Sequence, residues 1–405
     1  MEKISIDESQ LFVLRKNNGS QFRKNVLITV DNPGAYNAIK PIICALEGDG
    51  RCGSISVIAS GIAGENFQRD FGDRFARICN NTGLFLSDLD GLFSDVHLSP
   101  DIIICSISAI NGPESVALYA GKSVFGAKKI YVIFDAWGAL GNIFKDNLCA
   151  MDAIDGFFCN DEFAKKIIKY HVPDIVDEHI YAIGTPVLDS MEIEKADEYR
   201  KTLRERFHLE DDVCGILFLG GVSDTFKRIF FSDQKINEVT FEKTLIMIKA
   251  IVEEYADKKF ALLLRPHPCD VNKQELYSIV KYLTLPSNLA FIDVGVNMAS
   301  MNEVAYGADV IVSIVSTENL LAPLRGKQSI YLGYKGVGLG KVLLEKAYGK
   351  DILSFLSQIE GVAVAASPEE FGALFLKACF SPKIIAPSAK RENSAKKIID
   401  VIFEK

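Results

Sequence analysis

The sequence predicts an α/β protein of two tandem Rossmann-like domains, each built on a parallel sheet. Three observations carry this. Short apolar strands alternate with amphipathic helical segments along most of the chain, which is the grammar of βαβ units. The alternation pauses once, at a polar run carrying both signs of charge, and then restarts. A length of 405 residues suits two domains of ordinary size.

Taken in order, residues 25–30 (NVLITV) read as a buried strand, closed by the breaker cluster Asp31-Asn32-Pro33-Gly34 and followed by an apolar-periodic helix over 36–46. The unit recurs as strands at 54–59, 101–105, 129–134, 156–159 and 180–183, with helices at 114–123 and 162–170. Continuous apolar runs of this kind fit strands covered on both faces. After Gly184-Thr185-Pro186 comes KADEYRKTLRERF at 195–207, a helical run whose charges suit a solvated face and a linker. Strands resume at 214–219, 260–264, 289–292, 309–313 and 328–332, with helices at 238–255, 273–282, 298–305 and 318–326. A last helical segment, 389–403, suits packing on either half. The expected division is 1–195, 196–385 and a C-terminal helix within 386–405.

Bulk properties exclude several classes. A net charge of −8 argues against a nucleic-acid partner, whose affinity rests on clustered Lys and Arg. Nine scattered cysteines show no metal-site spacing and suit reduced thiols in a cytoplasm. No apolar run reaches the roughly 20 residues of a membrane span, and the first residues have no basic region before an apolar core. A cytoplasmic protein is expected, with a peripheral membrane contact left open and the oligomeric state undetermined.

Candidate chemistry gathers in three loops of the second half, each at the carboxyl end of an expected strand, where open α/β sheets bind ligands. Gly220-Gly221-Val222-Ser223 offers close backbone approach to a phosphate and a hydroxyl donor, without the spacing of a dinucleotide or Walker loop. Arg265-Pro266-His267-Pro268 holds a planar cation and an imidazole in a turn stiffened by two prolines. His267 can donate to a phosphate or hand a proton to a leaving group. In the third loop Ser313 ends a strand, and Ser316 and Thr317 precede Glu318 and Asn319 at an expected helix start, an arrangement suited to an anion. Glu318 suits ribose hydroxyls, as acidic groups do in nucleotide sites.

RPHP at 265–268, SIVSTEN at 313–319, Ala322 and GKQSIY at 326–331 resemble the nucleotide-binding half of GT-B glycosyltransferases and related nucleotide-sugar 2-epimerases. His267-Pro268 with Ser316-Thr317 is similar to the paired elements of bacterial sialyltransferases that use CMP-activated sugars. The resemblance implies a cleft between the two halves, a CMP- or UDP-activated sugar as donor, a glycan or glycoconjugate acceptor, and no cofactor or metal. It also implies that the first half supplies the acceptor side. There the chain departs from the sialyltransferase pattern of an acidic pair followed by glycine, offering only Asp88-Leu89-Asp90-Gly91 and Asp135-Ala136-Trp137-Gly138. Asp135, at the end of KIYVIF, is the expected base, with Trp137 as a platform for a sugar ring. Asn32, Gly34, Tyr36 and Asn37 form a second expected wall, and Glu114 begins a helix near the same edge. The expected function is metal-independent sugar transfer to a hydroxyl in surface-glycan or glycoconjugate synthesis. A nucleotide-sugar 2-epimerase or hydrolase of the same fold, or a binding protein without catalysis, stays open.

Overall fold

The computed structural model describes residues 5–6, 9–15, 23–31, 33–81, 84–85, 99–106, 113–134, 153–171, 173–220, 235–267, 273–295, 298–314, 316–333, 355–356, 358–380 and 393–404. The chain divides into two units, Met1–Met191 with Arg391–Lys405, and Glu192–Lys390.

Unit 1 runs β1 (Ser5–Ile6), β2 (Ser9–Arg15), β3 (Lys24–Val30), α1 (Pro33–Gly48), β4 (Cys52–Ser60), α2 (Gly61–Phe71), β5 (Ala76–Asn81), β6 (Leu84–Phe85), β7 (Ile102–Cys105), α3 (Pro113–Ala120), β8 (Lys129–Ile133), β9 (Gly156–Cys159), α4 (Glu162–His171), β10 (Ile180–Ala182) and α5 (Pro186–Asp189). Eight strands form one sheet in the order β10-β9-β8-β7-β3-β4-β2-β5. Every pairing is parallel except those of β2, which runs antiparallel to both β4 and β5. The sequence reading missed this edge ribbon because antiparallel neighbours need no crossover helix and so leave no βαβ pattern. The C-terminal helix, Ser394–Glu404, packs Ala395, Ile398, Ile399 and Ile402 into the same core as Ile39, Ile42 and Leu46 of α1. Its first turn is capped by Asp189, whose carboxylate accepts from Ser394 N at 3.2 Å and Ala395 N at 2.7 Å.

Unit 2 runs α6 (Ala196–Arg206), β11 (Cys214–Gly220), α7 (Ile236–Glu254), β12 (Phe260–Pro266), α8 (Lys273–Leu283), β13 (Leu289–Asp293), α9 (Met301–Gly307), β14 (Val310–Ser313), α10 (Thr317–Leu321), a 3₁₀ turn (Pro323–Arg325), β15 (Gln328–Leu332), β16 (Val362–Ala365) and α11 (Pro368–Phe380). Its six strands lie in the order β13-β12-β11-β14-β15-β16, all parallel. Counted from β11 this is 3-2-1-4-5-6, the doubly wound order. Alternate residues of β11 feed opposite cores: Ile216 and Phe218 meet Phe241 and Leu245 of α7, and Leu217 and Leu219 meet Leu203 of α6 and Val304 of α9. Burial on both faces is why CGILFL reads as an unbroken apolar run.

Two elements depart from the sequence reading. The charged run expected as a solvated linker is α6, packed on α9, with Leu203 so close to Gly307 that a Cβ there would collide with it. The helix expected over 318–326 stops at Leu321 and continues as the 3₁₀ turn. Pro323 lacks the N–H for the next α-helical bond, and its ring crowds the preceding turn. Among the described residues no helix is long and apolar enough to cross a membrane.

Candidate functional site

The register of unit 2 brings the three loops to one edge. Leu219 pairs with Arg265 on one side and Ser313 on the other, and Ser313 pairs with Tyr331. Neighbouring strands lie about 4.8 Å apart, so the chain leaves β12, β11 and β14 side by side. Strand order reverses between β11 and β14, which makes this a topological switch point, where open sheets form a ligand crevice.

Gly220 is required at this edge. A Cβ there would stand 2.9 Å from Pro266 Cα, a backbone atom fixed by its own ring. The His267 N–H donates to Gly220 O at 3.1 Å, which extends the ladder past the strand, and His267 is half-buried.

Arg265 departs from its expected role as a free fork. Its Nη1 donates to Val294 O at 2.8 Å and Ala299 O at 2.9 Å, clamping the loop after β13. Its other nitrogens hydrogen-bond no described residue. Burial holds its pKa below the usual arginine range, against the pull of Glu318, Glu303 and Asp293. The guanidinium stays charged, because arginine starts too high for a shift of this kind to neutralise it.

The third loop divides into struts and an open rim. Ser313 and Asn319, expected at the ligand, are fully buried. Ser313 Oγ donates to Asn319 Oδ1 at 2.8 Å, Asn319 Nδ2 donates to Ile330 O at 3.1 Å, and Ser329 Oγ donates to Asn319 O at 2.7 Å. These bonds pin α10 to β14 and β15. Ser316 caps α10, its Oγ accepting from Glu318 N at 3.2 Å, while its carbonyl accepts from Tyr331 Oη at 2.7 Å. Thr317 is half-buried at the first helical position. A five-residue helix carries a smaller dipole than the expected nine-residue one, so hydroxyls and local N–H groups must do more of the work on an anion. Glu318 is bonded through Oε2 to Nη1 of the buried Arg325. Sequence reasoning missed Arg325 and Tyr331, whose partners are revealed only by folding.

Unit 1 has its own switch point, between β3 and β7. Ser106 follows β7, and its Oγ donates to Glu114 Oε1 at 2.6 Å, with both residues buried. Glu114 sits in the first turn of α3, where a negative charge is favoured. Nearby, Ser60 at the end of β4 donates to Asp31 after β3. Neither serine was singled out from sequence, although both obey the strand-end rule that found Gly220. Gly34 and Asn37 lie exposed on α1. Tyr36 does not join them: it is 1% exposed and its hydroxyl donates to Asp70 Oδ2 at 2.8 Å in the α1–α2 seam. Burial and that carboxylate push its pKa far up, so it stays neutral. Asn32, Asp135, Trp137, Gly221 and Ser223 lie outside the described residues. Among the described residues no group of three or more His, Cys, Asp or Glu could hold a metal ion.

No family model matches the sequence, and no curated protein matches it. Solved structures do. UDP-GlcNAc 2-epimerase from Neisseria meningitidis, bound to UDP-GlcNAc, superposes with a TM-score of 0.62 at 12% identity, covering 94% of this chain and 100% of that one. MnaA of S. aureus with UDP gives 0.64 at 12%, covering 94% and 96%. The wall teichoic acid polymerase TagF gives 0.52 at 12%, covering 94% and 88%. At such identities the likeness is one of fold, and the fold is the GT-B-like one of two Rossmann-like domains.

Proposed function

We propose that this chain is a nucleotide-sugar enzyme that binds its donor at the carboxyl edge of unit 2 and moves the sugar to an acceptor hydroxyl in surface-glycan or related glycoconjugate synthesis. The observation that supports it most is the switch point between β11 and β14, where Gly220 ends β11, His267 follows β12, and Ser316, Thr317 and Glu318 follow β14. As the glycosidic bond breaks, negative charge grows on the departing phosphate. His267 and the Ser316 and Thr317 hydroxyls are the groups proposed to meet it, with the charge of Arg265 close behind. Glu318 is the proposed partner of the ribose. Asp135 is the proposed base for the acceptor, with Glu114 as the second carboxylate of that half. Donor charge met by side chains and N–H groups leads us to propose turnover that survives chelation of divalent metals.

A second reading has its own support. Several solved structures of this fold are UDP-GlcNAc 2-epimerases, and that chemistry inverts a sugar centre with no acceptor at all.

A thermal-shift panel of CMP, UDP, GDP and CDP tests the shared premise. A nucleotide at 100 times its Kd should stabilise the protein by about 2.7 kcal/mol, and no shift with any of the four would overturn both readings. Incubation with the matching nucleotide sugars, followed by NMR, then separates them. Nucleotide release only when an acceptor is present supports transfer. A new C2 epimer without acceptor supports the second reading, and binding without turnover points to a protein that has lost catalysis.

A further inference from the structure

We infer that Arg325 is a positioning residue that fixes the carboxylate of Glu318 at the nucleotide edge, and that it is seated by the helix through which the chain enters unit 2. The inference rests on the nucleotide-binding reading above and deepens it.

Arg325 lies on the 3₁₀ turn after α10, with its side chain 3% exposed. Nη1 holds Glu318 Oε2, and Nη2 lies 3.5 Å from Asn302 Oδ1. The guanidinium carbon sits 5.7 Å from the centre of the Tyr306 ring, within reach of a cation–π contact. Tyr306 in turn stacks on Tyr199 of α6, ring centres 5.8 Å apart and planes 7° from parallel. The Tyr199 hydroxyl donates to Glu192, the first residue of unit 2. A continuous stack therefore runs from the entry of unit 2 to Glu318.

Stability alone gives no reason for this arrangement. Arg325 Nε is buried with no partner among the described residues, which is costly, and apolar side chains often replace a buried ion pair without loss. What the pair does achieve is geometric. One carboxylate oxygen of Glu318 is clamped, no described residue hydrogen-bonds the other, and the side chain keeps 19% of its surface exposed. A carboxylate held by one oxygen presents the other as an acceptor of fixed direction, which suits a ribose hydroxyl and penalises a ligand lacking it.

The test is calorimetric titration of the full chain with the ribonucleotide that emerges from the panel and with its 2′-deoxy and 3′-deoxy counterparts. Wild type should prefer the ribonucleotide over at least one of them by about tenfold, the scale of one hydrogen bond to a charged group. Arg325→Met should bring that preference to within about twofold while leaving affinity for the deoxynucleotide unchanged, as should Glu318→Gln, and Arg325→Lys should restore part of it. Should Arg325→Met fail to fold, Tyr306→Leu, which removes the ring beneath the guanidinium, should give an intermediate preference. A folded variant with the preference intact, or with all affinities lowered in proportion, overturns the positioning role. So does a wild type that binds nucleotide without any ribose preference. A wild type that binds no nucleotide overturns the functional reading itself.

Discussion

Gly220 shows how a single hydrogen atom in place of a side chain sets the width of the candidate site. Its neighbour at 2.9 Å from a built Cβ is Pro266 Cα, and neither backbone can yield, because one is paired in the ladder and the other is fixed by its ring. Gly220→Ala should therefore cost about 1–3 kcal/mol, the usual range for overpacking, read as a lower urea midpoint with an unchanged slope. A midpoint equal to wild type would mean that β11 and β12 separate freely at their ends. The strand-end positions of Gly220 and His267 were legible in sequence because breakers after an apolar run are a local property. Ser313 and Asn319 were legible as positions but not as roles: a hydroxyl and an amide look alike whether they face a ligand or each other at 2.8 Å. Arg325 was not legible, since nothing around it in the sequence indicates Tyr306 or Tyr199.

Between elements, the seam of α6 with α9 and the strands beneath explains a charged run that the sequence presents as solvated. Arg200 Nη1 bonds Asp309 Oδ1 at 2.9 Å, Arg204 Nη2 bonds Val213 O at 2.9 Å, and Lys327 Nζ bonds Ala308 O at 2.8 Å. Three cations thus share a half-buried region with one close carboxylate. Burial first, and then repulsion from Arg200 and Arg204, push the Lys327 pKa down to about 8, with Asp309 and Asp197 opposing. The unfolded value lies near ~10.4, so between the two the unfolded chain binds more protons and unfolding free energy rises with pH. Below about pH 8 both states hold the proton, and the contribution is at its least favourable. Denaturant titrations of wild type and Lys327→Met from pH 7 to pH 10.5 should show the wild type gaining on the variant above pH 8; parallel curves would mean the ammonium finds enough solvent or countercharge. The capping box at Ser300 and Glu303 shows the opposite case: Ser-x-x-Glu is written in the sequence, and reading it would have moved the start of α9 from 298 to 301.

Across the whole molecule, the βαβ grammar carried the architecture because β3, β4, β7, β9 and β10 of unit 1 and β11, β12, β13, β14 and β16 of unit 2 are each followed by a helix. The antiparallel ribbon of β2 and β5 escaped that grammar. So did the destination of the C-terminal helix, since an apolar stripe at i, i+3, i+4 and i+7 fits any helix layer. The structure settles it on unit 1, where Ile398, Ile399 and Ile402 are at most 1% exposed against α1. Arg51 adds a 2.7 Å ion pair to Asp400 and a guanidinium 5.1 Å from the Phe403 ring centre. The consequence is that unit 1 is completed by residues that follow all of unit 2 in the chain. Three buried isoleucines at about 1.5–3 kcal/mol each amount to roughly 5–9 kcal/mol as an upper bound, which matches the ~5–15 kcal/mol that keeps a typical protein folded. Ending the chain after residue 392 should therefore abolish the calorimetric transition of unit 1, while the transition of unit 2 persists and still moves upward with whichever nucleotide stabilises the full-length protein. Two intact transitions would show that α1 finds cover without the helix. Loss of both, or loss of the nucleotide response alone, would show that unit 2 does not hold its fold or its nucleotide edge without an intact unit 1.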